Sequence, residues 1–400
     1  RLDWNTVCPH TADEAVYVMG TPAYLGSKIQ DENQKEDMAI ALSELKEQKS
    51  VDYIAAWFWN GAKYIENTRA RYAFVSTNSI SQGEQVGMLW PHIFNKGLEI
   101  FFARTSFKWE NNAKHNAAVI CTIIGVSNKY EGVKLLYNET TNECHRVKSI
   151  NPYLSADSNV IVSKSARPKE IPPMLFGSMP RDGGFLNYTE EEVNDLLACY
   201  PNAKPIVKKY IGSQEFLQGI MRYCLWIEDE NKELAYSIPP IMDRLSSVKA
   251  MRESSDASST RDYANRPYMF VQRAYQPTDA IIVPAVSSER REYIPIGFVD
   301  KDTVISNLAF AVYDAELWLF GMLTSKMHNV WVRTVGGRLK TDYRYSATLC
   351  YNTFPFPKIN DEQKAKLTAL AENIIYTRER HTEMTYGEMY NPESMPLDLK

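Results

Sequence analysis

The sequence has 400 residues, of which 44% are hydrophobic and 24% are charged, with a formal net charge of −4. This composition is ordinary for a folded globular protein and excludes collagen-like, low-complexity and strongly basic chains. The length predicts two or three domains, and any nucleic-acid surface would have to be a local basic patch.

The cysteines and histidines, six of each, lack the spacing of a metal site. We therefore expect no metal site and no disulfide framework, and free cysteines indicate the reducing cytoplasm. No apolar run approaches the roughly 18 residues that span a bilayer, so we expect no membrane partner. We also expect no signal peptide. Because the chain begins at Arg1 rather than at methionine, we expect a fragment of a longer protein.

The first 150 residues alternate strand-like and helix-like segments, which predicts an α/β sheet that is mostly parallel, with helices on both faces. The predicted helices are 51–65 and 85–94, and the predicted strands are 15–19, 72–76, 98–102 and 117–126. The last two strands are close enough in sequence to pair as an antiparallel edge hairpin. Residues 151–175 follow and are rich in Ser, Asn and Pro, which indicates a linker.

An α+β domain is predicted over residues 176–357, with a helical segment over 358–400. Thr189 and Glu192 have the spacing of a helix capping box. Residues 239–262 are predicted to be a charged helix that fades into a Ser-rich loop. The remaining predicted elements are helices over 314–326 and from Asn360 onward, and strands over 268–271 and 280–286.

Segment 326–345, KMHNVWVRTVGGRLKTDYRY, has the clearest local charge. Its five cations oppose one acid, Asp342; they are Lys326, Arg333, Arg338, Lys340 and Arg344. Gly336-Gly337 would let backbone N–H groups approach a ligand, and Tyr343 lies between the cations. This mixture suits phosphate contacts on a nucleic acid, whereas the alternative is a solvated basic helix end.

The segment SSERREY over 287–293 is a second candidate for DNA contact. In a loop, Arg290 and Arg291 could bind guanine, Glu289 could bind cytosine, and Ser288 could bind either type of base edge. Salt bridges on a solvated surface are the alternative.

The segment FARTSFKWENNAK over 102–114 places Phe107 and Trp109 in a polar connection. Aromatic rings in such a place could stack on a base removed from its helix. The alternative is a lid over the edge of the domain.

The sequence GTPAY follows the first predicted strand. In it, the Thr21 hydroxyl and the Pro22 carbonyl could accept hydrogen bonds from an amino group, and Tyr24 could stack on a flat ring. The alternative is an ordinary turn, which so short a pattern favours when it is taken alone.

Several long segments, in order, resemble the MmeI-like bifunctional restriction–modification enzymes. They are FVSTNSISQGEQV, FARTSFKWENNAKHNAAV, GSQEFLQGIMRYCLWI, SSERREYIPIGF, GGRLKTDYRYSATLCYNTFPFP and GEMYNPESMPLDL. That family joins an endonuclease, an adenine-N6 DNA methyltransferase and a target-recognition domain in one polypeptide. The resemblance implies S-adenosylmethionine as methyl donor, double-stranded DNA as partner and flipping of the target adenine.

The resemblance also assigns roles to individual residues. The family's catalytic motif is Asn-Pro-Pro-Tyr or Asn-Pro-Pro-Phe, and Thr21-Pro22-Ala23-Tyr24 takes its place. Tyr24 would stack on the flipped base, Pro22 would keep its carbonyl, and Phe107 would form the second aromatic wall. Thr21 and Ala23 depart from the motif, which implies an impaired catalytic loop.

Two family features are missing from this sequence. Neither a nuclease motif nor the Asp-Pro-x-Cys-Gly-x-Gly cofactor motif precedes residue 20. We therefore expect the C-terminal half of a methyltransferase domain over residues 1–150, followed by a target-recognition domain. By itself, this chain should have little or no methyltransferase activity and should bind the cofactor weakly or not at all. The alternative is a non-catalytic DNA- or protein-binding module that reuses the fold.

Overall fold

The computed structural model describes residues 2–45, 48–109 and 119–400. The chain divides into two compact units. Unit 1 contains Arg1–Ala166, Val332–Tyr343 and Thr348–Thr353, and unit 2 contains Arg167–Trp331, Arg344–Ala347 and Phe354–Lys400. No helix in the described ranges is both long and apolar enough to cross a membrane.

Unit 1 is built on a six-stranded sheet with the order β1-β2-β4-β3-β5-β6. The strands are β1 (Tyr17–Gly20), β2 (Arg71–Thr77), β3 (Leu98–Lys108), β4 (Ile120–Asn128), β5 (Lys134–Asn138) and β6 (Glu143–Val147). The pairs β1–β2 and β3–β5 are parallel, whereas β2–β4, β3–β4 and β5–β6 are antiparallel. The sheet is therefore mixed rather than mostly parallel.

The pair β3–β4 is antiparallel as predicted, but it lies inside the sheet and not at its edge. Strand β4 pairs with β2 on its other side, and β3 pairs with β5. The hairpin at the edge is formed by β5 and β6, which the sequence analysis did not identify.

Four helices belong to unit 1: α1 (Trp4–Val7), α2 (Glu32–Ala41), α3 (Ile54–Ile65) and α4 (Glu84–Asn95). Helix α3 follows from its apolar periodicity, because the side chains at helical spacing are buried against the sheet. Phe58 packs edge-on against Tyr72 and Phe74 of β2, with ring centroids 5.7 and 5.5 Å apart. Trp57 of the same helix is 36% exposed.

Unit 2 holds two four-stranded sheets, ordered β14-β9-β10-β8 and β13-β11-β15-β7. Their strands are β7 (Leu175–Phe176), β8 (Asn187–Thr189), β9 (Val207–Ile211), β10 (Arg222–Leu225), β11 (Ala280–Pro284), β13 (Gly297–Val299), β14 (Thr303–Ile305) and β15 (Ala309–Tyr313). The remaining short strands are β12 (Val286–Ser287), β16 (Gly337–Leu339) and β17 (Asp342–Arg344).

The remaining helices are α5 (Glu190–Cys199), α6 (Ser213–Gln218), α7 (Lys232–Ser237), α8 (Pro239–Glu253), α9 (Ser258–Arg261), α10 (Leu317–Thr324), α11 (Lys326–Val335), α12 (Asp361–Glu379) and α13 (Tyr386–Met389). The capping box of Thr189 and Glu192 is present at the start of α5. Asn360 caps α12 in the same way, and the predicted helical C-terminal segment is confirmed.

The predicted strand over 268–271 is wrong, and the buried Arg252 gives the reason. Its guanidinium donates to the Met269 carbonyl at 2.8 Å and to the Arg266 carbonyl at 2.8 Å. It also donates to three further carbonyls, those of Pro180, Arg181 and Tyr263. Because a side chain satisfies these carbonyls, the segment needs no ladder to bury Tyr268 and Phe270.

Residues 332–343 group with unit 1, although the chain passes through unit 2 before it reaches them. Gly337 packs against Gly83, and a Cβ on Gly83 would lie 3.1 Å from the Gly337 Cα. The close approach of these two backbone segments depends on Gly83, because a Cβ on Gly337 would lie 4.0 Å from the Gly83 Cα, an ordinary contact distance. The contact of Gly336-Gly337 with a ligand stays a prediction.

Candidate functional site

The strand ends of unit 1 converge at one edge of its sheet. Strands β1 and β2 are parallel, and β3 runs in the same direction because both β2 and β3 are antiparallel to β4. The carboxyl ends of β1, β2 and β3 and the start of β4 therefore meet. Thr77 and Phe107 are both register partners of Cys121, which marks this edge.

The TPAY sequence follows Gly20 at the end of β1 and leads into a loop that Asp52 holds. The Asp52 carboxylate accepts from the Leu25 N–H at 2.9 Å and from the Ile54 N–H at 3.1 Å. In return, the Leu25 carbonyl accepts from the Tyr53 N–H at 3.0 Å. These bonds tie the loop to the start of α3. Burial raises the pKa of the Asp52 carboxyl, and its two backbone hydrogen bonds oppose that rise.

The four TPAY residues differ in exposure. Thr21 and Ala23 are exposed, whereas Pro22 and Tyr24 are half-buried. The Tyr24 ring packs against the core of unit 1. Burial raises the pKa of the Tyr24 phenol, and the neighbouring Cys121 and Asp52 add to this rise. Tyr24 therefore lies close to the start of β4.

Phe107 and Trp109 lie at the same edge. Both side chains are half-buried, and their ring centroids are 6.4 Å apart. The Arg104 guanidinium lies 5.0 Å from the Phe107 ring centroid. Tyr24 and Phe107 thus share Cys121 as a neighbour. Residues 110–114 of the predicted aromatic segment lie outside the described residues.

The predicted basic cluster is divided between the two units. Arg333, Arg338, Lys340 and Tyr343 belong to unit 1, whereas Lys326 and Arg344 belong to unit 2. The guanidinium groups of Arg338 and Arg333 lie 4.1 and 5.7 Å from the Tyr343 ring centroid. In unit 2, the Lys326 ammonium lies 3.5 Å from the Glu292 carboxylate. The cluster thus contributes one group of residues to unit 1 and another to unit 2.

The predicted base-reading residues, Ser288 to Arg291, form a turn after β12. The Arg291 N–H donates to the Ser288 carbonyl at 3.2 Å, and the Arg290 N–H donates to the Ser288 hydroxyl at 3.4 Å. Arg290 is exposed and forms an ion pair with Glu393. Glu289 occupies the same turn. Arg291 lines a cavity of about 560 Å³ in unit 2.

Two residues at the edge of the unit 1 sheet escaped the sequence analysis. Asp52 holds the TPAY loop. Its position just before an apolar helical repeat is typical of a residue that caps a helix, and this could have identified it. Ser81, in the loop after β2, is 6% exposed and carries no signal in the sequence. Within the described ranges, no group of three or more metal-ligating side chains occurs.

Comparison with known proteins gives consistent matches over both units. The family model of the MmeI DNA-methyltransferase domain matches residues 1–138, and that of the MmeI target recognition domain matches residues 156–358. The chain is 46% identical over 402 residues to DNA methyltransferase A of Bacillus subtilis (strain 168). That match covers 100% of this chain and 45% of the relative.

The structure is also similar to that of the type IIL restriction-modification enzyme MmeI in complex with DNA. The TM-score is 0.94 at 37% sequence identity, over 100% of this chain and 54% of that chain. The chain thus spans about half the length of these relatives. The predicted fold class, a mixed α/β chain with a helical C-terminal tail, is confirmed by this similarity. The chain belongs to the MmeI-like family and carries its methyltransferase and target-recognition domains.

Proposed function

We propose that this chain is the DNA-binding and target-base-binding portion of a site-specific adenine-N6 methyltransferase in a restriction–modification system. The observation that carries the proposal is that the loop after β1, which contains Tyr24, and the end of β3, which contains Phe107, lie at the same edge of the unit 1 sheet. Two aromatic rings at such an edge suit stacking on a base flipped out of the duplex. Trp109, next to Phe107, would extend this apolar wall.

The TPAY loop is proposed to be an impaired catalytic loop. The Pro22 carbonyl and the Thr21 hydroxyl would accept hydrogen bonds from the adenine amino group. A hydroxyl is a weaker acceptor than an amide oxygen, and Ala23 does not fix the backbone as a proline would. Loss of one preorganised polar contact typically lowers the rate by about 10²–10³-fold.

S-adenosylmethionine would supply the methyl group to the adenine nitrogen. A nucleoside cofactor is commonly seated by a glycine-rich turn and an acidic ribose partner. Residues 1–16 contain no glycine. We therefore propose that binding of this cofactor needs a further part of the methyltransferase domain. The longer protein would also contain the endonuclease part that the family includes.

The cysteines Cys8, Cys144 and Cys199 form no disulfide and are exposed, which suits a reducing cytoplasm.

Duplex DNA is the proposed partner of both groups of cations. In unit 1, Arg333, Arg338, Lys340 and Tyr343 would contact phosphates, with Lys326 and Arg344 of unit 2 in the same role. The turn from Ser288 to Arg291 would contact base edges, after the Arg290 guanidinium leaves Glu393. Exposed ion pairs of this kind are worth little, so DNA can displace the carboxylate.

Binding to labelled duplex over a series of salt concentrations tests the DNA-binding part of this proposal. The affinity should fall steeply as salt rises, with a logarithmic slope of about −0.9 for each phosphate contact. The matched control is Arg146→Gln, which removes an exposed arginine of β6 at the far edge of the unit 1 sheet. A chain without affinity for any duplex at low salt would contradict the proposal.

Methyl transfer tests the catalytic part. The longer protein that contains this chain is compared with its Thr21→Asn/Ala23→Pro variant, using a labelled methyl donor and genomic DNA. If the loop is impaired, the variant should transfer methyl groups about 10²–10³-fold faster. Equal rates in two folded proteins would mean that the loop change is harmless or that another defect limits the reaction.

The second candidate function is a non-catalytic DNA- or protein-binding module. The exposed Thr21 and Ala23 favour it, because both depart from the family's catalytic motif. Neutralising Arg333, Arg338, Lys326 and Arg344 together distinguishes the candidates. Unchanged duplex binding would favour a protein partner, whereas weaker binding with a shallower salt slope would favour DNA.

A further inference from the structure

A cavity of about 300 Å³ opens in unit 1 beside the edge that holds Tyr24 and Phe107. Four segments line it: the segment after β2 with Ser81, the end of β3 with Thr105 and Ser106, residues 153–155, and residues 333–338 with Arg333 and Arg338. Its size is at the lower end of the range for small-molecule pockets. It is larger than a phosphate group alone requires and can hold a phosphate with part of its sugar.

Ser81 gives the first independent sign of a ligand. Its side chain is 6% exposed, and its hydroxyl has no hydrogen-bond partner among the described residues. The adjacent Ile80 carbonyl accepts from the buried Trp90 indole N–H at 2.8 Å, which fixes the backbone at this point. A buried hydroxyl without a partner is unfavourable, so a bound acceptor in the cavity would satisfy it.

Thr105 is oriented as a second donor. Its hydroxyl oxygen accepts from the Glu139 N–H at 2.9 Å. A hydroxyl that accepts one bond still has its proton to donate, and Thr105 lines the cavity. The acceptor that suits both hydroxyls is an oxygen atom of a ligand.

The charge of the wall identifies this ligand as an anion. Arg333 and Arg338 both line the cavity and are held beside the Tyr343 ring, at 5.7 and 4.1 Å from its centroid. The described residues that line the cavity include no acid. Arg338 Nη1 donates to the Thr341 carbonyl at 2.8 Å. Because a guanidinium carries five N–H donors, this bond is compatible with a further bond to a phosphate.

The position of the cavity relates this anion to the target base. Ser106 directly precedes Phe107 on β3, and Ser81 lies four residues beyond Thr77, the register partner of Cys121. A phosphate in the cavity would thus lie beside the nucleotide whose base sits between Tyr24 and Phe107. We infer that the cavity binds the DNA phosphodiester next to the flipped adenine. This inference rests on the proposed function and assigns the site for one phosphate.

The test uses a short labelled duplex with one extrahelical adenine, so that no knowledge of the recognition sequence is needed. An unpaired base also reduces the cost of flipping. In matched duplexes, an uncharged methylphosphonate replaces the phosphate on one side or the other of that adenine. Binding of the whole chain is measured over a range of salt concentrations.

One of the two methylphosphonates should weaken binding severalfold and reduce the magnitude of the salt slope by about 0.9. Arg338→Gln should cause the same loss with the all-phosphate duplex and no further loss with that methylphosphonate, because both changes remove one contact. Arg146→Gln should keep the full methylphosphonate effect.

Ser81→Ala gives a second test, in which the stability of the chain and its affinity for duplex should change in opposite directions. It should raise the melting temperature, because it removes a buried unpaired hydroxyl, and it should weaken duplex binding. A folded Ser81→Ala variant that binds as the unmodified chain does would overturn the assignment of Ser81.

Additive losses from Arg338→Gln and the methylphosphonates, with duplex binding intact, would overturn the inference alone. Stabilisation by inorganic phosphate that Arg338→Gln abolishes, without any methylphosphonate effect, would assign the cavity to free phosphate and also overturn it. Absence of duplex binding by the unmodified chain would overturn the proposed function together with this inference.

Discussion

Asp52 is a buried carboxylate that connects two backbone segments of unit 1. It is 8% exposed and accepts hydrogen bonds from the Leu25 and Ile54 N–H groups. Burial raises its pKa above the unfolded value, so folding takes up a proton between the two values. Its contribution to stability therefore falls as pH rises through that window.

We expect Asp52→Ala to lower the free energy of unfolding by about 1–3 kcal/mol, because both N–H groups lose their acceptor. Asp52→Asn keeps an acceptor oxygen and removes the charge, so it should abolish the fall in stability with rising pH. Urea unfolding between acid and neutral pH measures both effects. If Asp52→Asn and the unmodified chain keep the same pH slope, the carboxylate is not the source of it.

His328 is a buried histidine of unit 2. Its Nε2 lies 2.8 Å from the Tyr345 hydroxyl, and its ring packs edge-on against Phe354 at 4.7 Å. Burial lowers the pKa of His328 to about 3. In the unfolded chain, the His328 imidazole binds a proton near pH 6.5, whereas in the folded chain it stays neutral until about pH 3. The free energy of unfolding therefore falls as pH falls through this window.

Unit 2 should therefore lose up to about 1.4 kcal/mol of unfolding free energy per pH unit between pH 6.5 and about 3. His328→Gln should reduce this slope, because glutamine takes up no proton in that range. The control is His145→Gln, which changes an exposed histidine of β6. Chemical unfolding followed by the amide exchange of unit 2 residues measures the slope.

At the scale of elements, two glycines in contact should respond differently to the same substitution. Gly83 has a φ of +57° and a Cβ there would meet the Gly337 Cα at 3.1 Å, whereas a Cβ on Gly337 would lie 4.0 Å from the Gly83 Cα. Gly83→Ala should cost about 1–3 kcal/mol of stability, and Gly337→Ala should be close to neutral. Urea unfolding of both variants checks the pair, and equal losses would contradict this account of the contact.

Elements with a strong local pattern could be predicted from the sequence. Helices α3 and α12 followed from apolar side chains at helical spacing, and α5 followed from its capping box. The segment 268–271 could not be predicted correctly, because the distant Arg252 satisfies its carbonyls. The contact of Gly337 with Gly83 was missed for the same reason, since no local pattern reports a partner 254 residues away.

The candidate site shows the same division. The TPAY loop and Phe107 were identified from residue types and order, whereas Asp52 and Ser81 emerged only from their contacts. The cluster over 326–345 looked continuous in the sequence, yet its cations belong to different units. Charge can be counted along a chain, but its distribution between units depends on tertiary contacts.

At the scale of the whole molecule, the chain path makes unit 1 depend on residues far along the sequence. Residues 348–353 form hydrogen bonds with the end of the segment 1–166. The Ser165 N–H donates to the Thr348 carbonyl at 3.1 Å, and the Asn352 amide donates to the Ser165 carbonyl at 3.0 Å. Unit 1 is thus completed by residues that follow most of unit 2.

Residues 1–166 expressed alone should therefore be less stable than the same residues in the whole chain. Their amides should exchange faster, most of all in the loop around Gly83, which loses its neighbour Gly337. Adding a peptide of residues 332–353 in excess should restore part of the protection, and a scrambled peptide should not. Equal protection from amide exchange in the fragment and in the whole chain would contradict a structural role for residues 332–343 and 348–353.

The contact of Gly83 with Gly337 also constrains how such chains can recombine. A crossover near residue 166 that brings in all later residues from a relative replaces part of unit 1 along with unit 2. Gly83 then comes from the host chain, whereas the residue at position 337 comes from the relative. Chimeras should tolerate an exchange better when the relative carries glycine or alanine at the position of Gly337, opposite the Gly83 of the host. A new recognition domain in this architecture therefore cannot be exchanged at a single junction, because unit 2 consists of three chain segments and the chain changes unit five times.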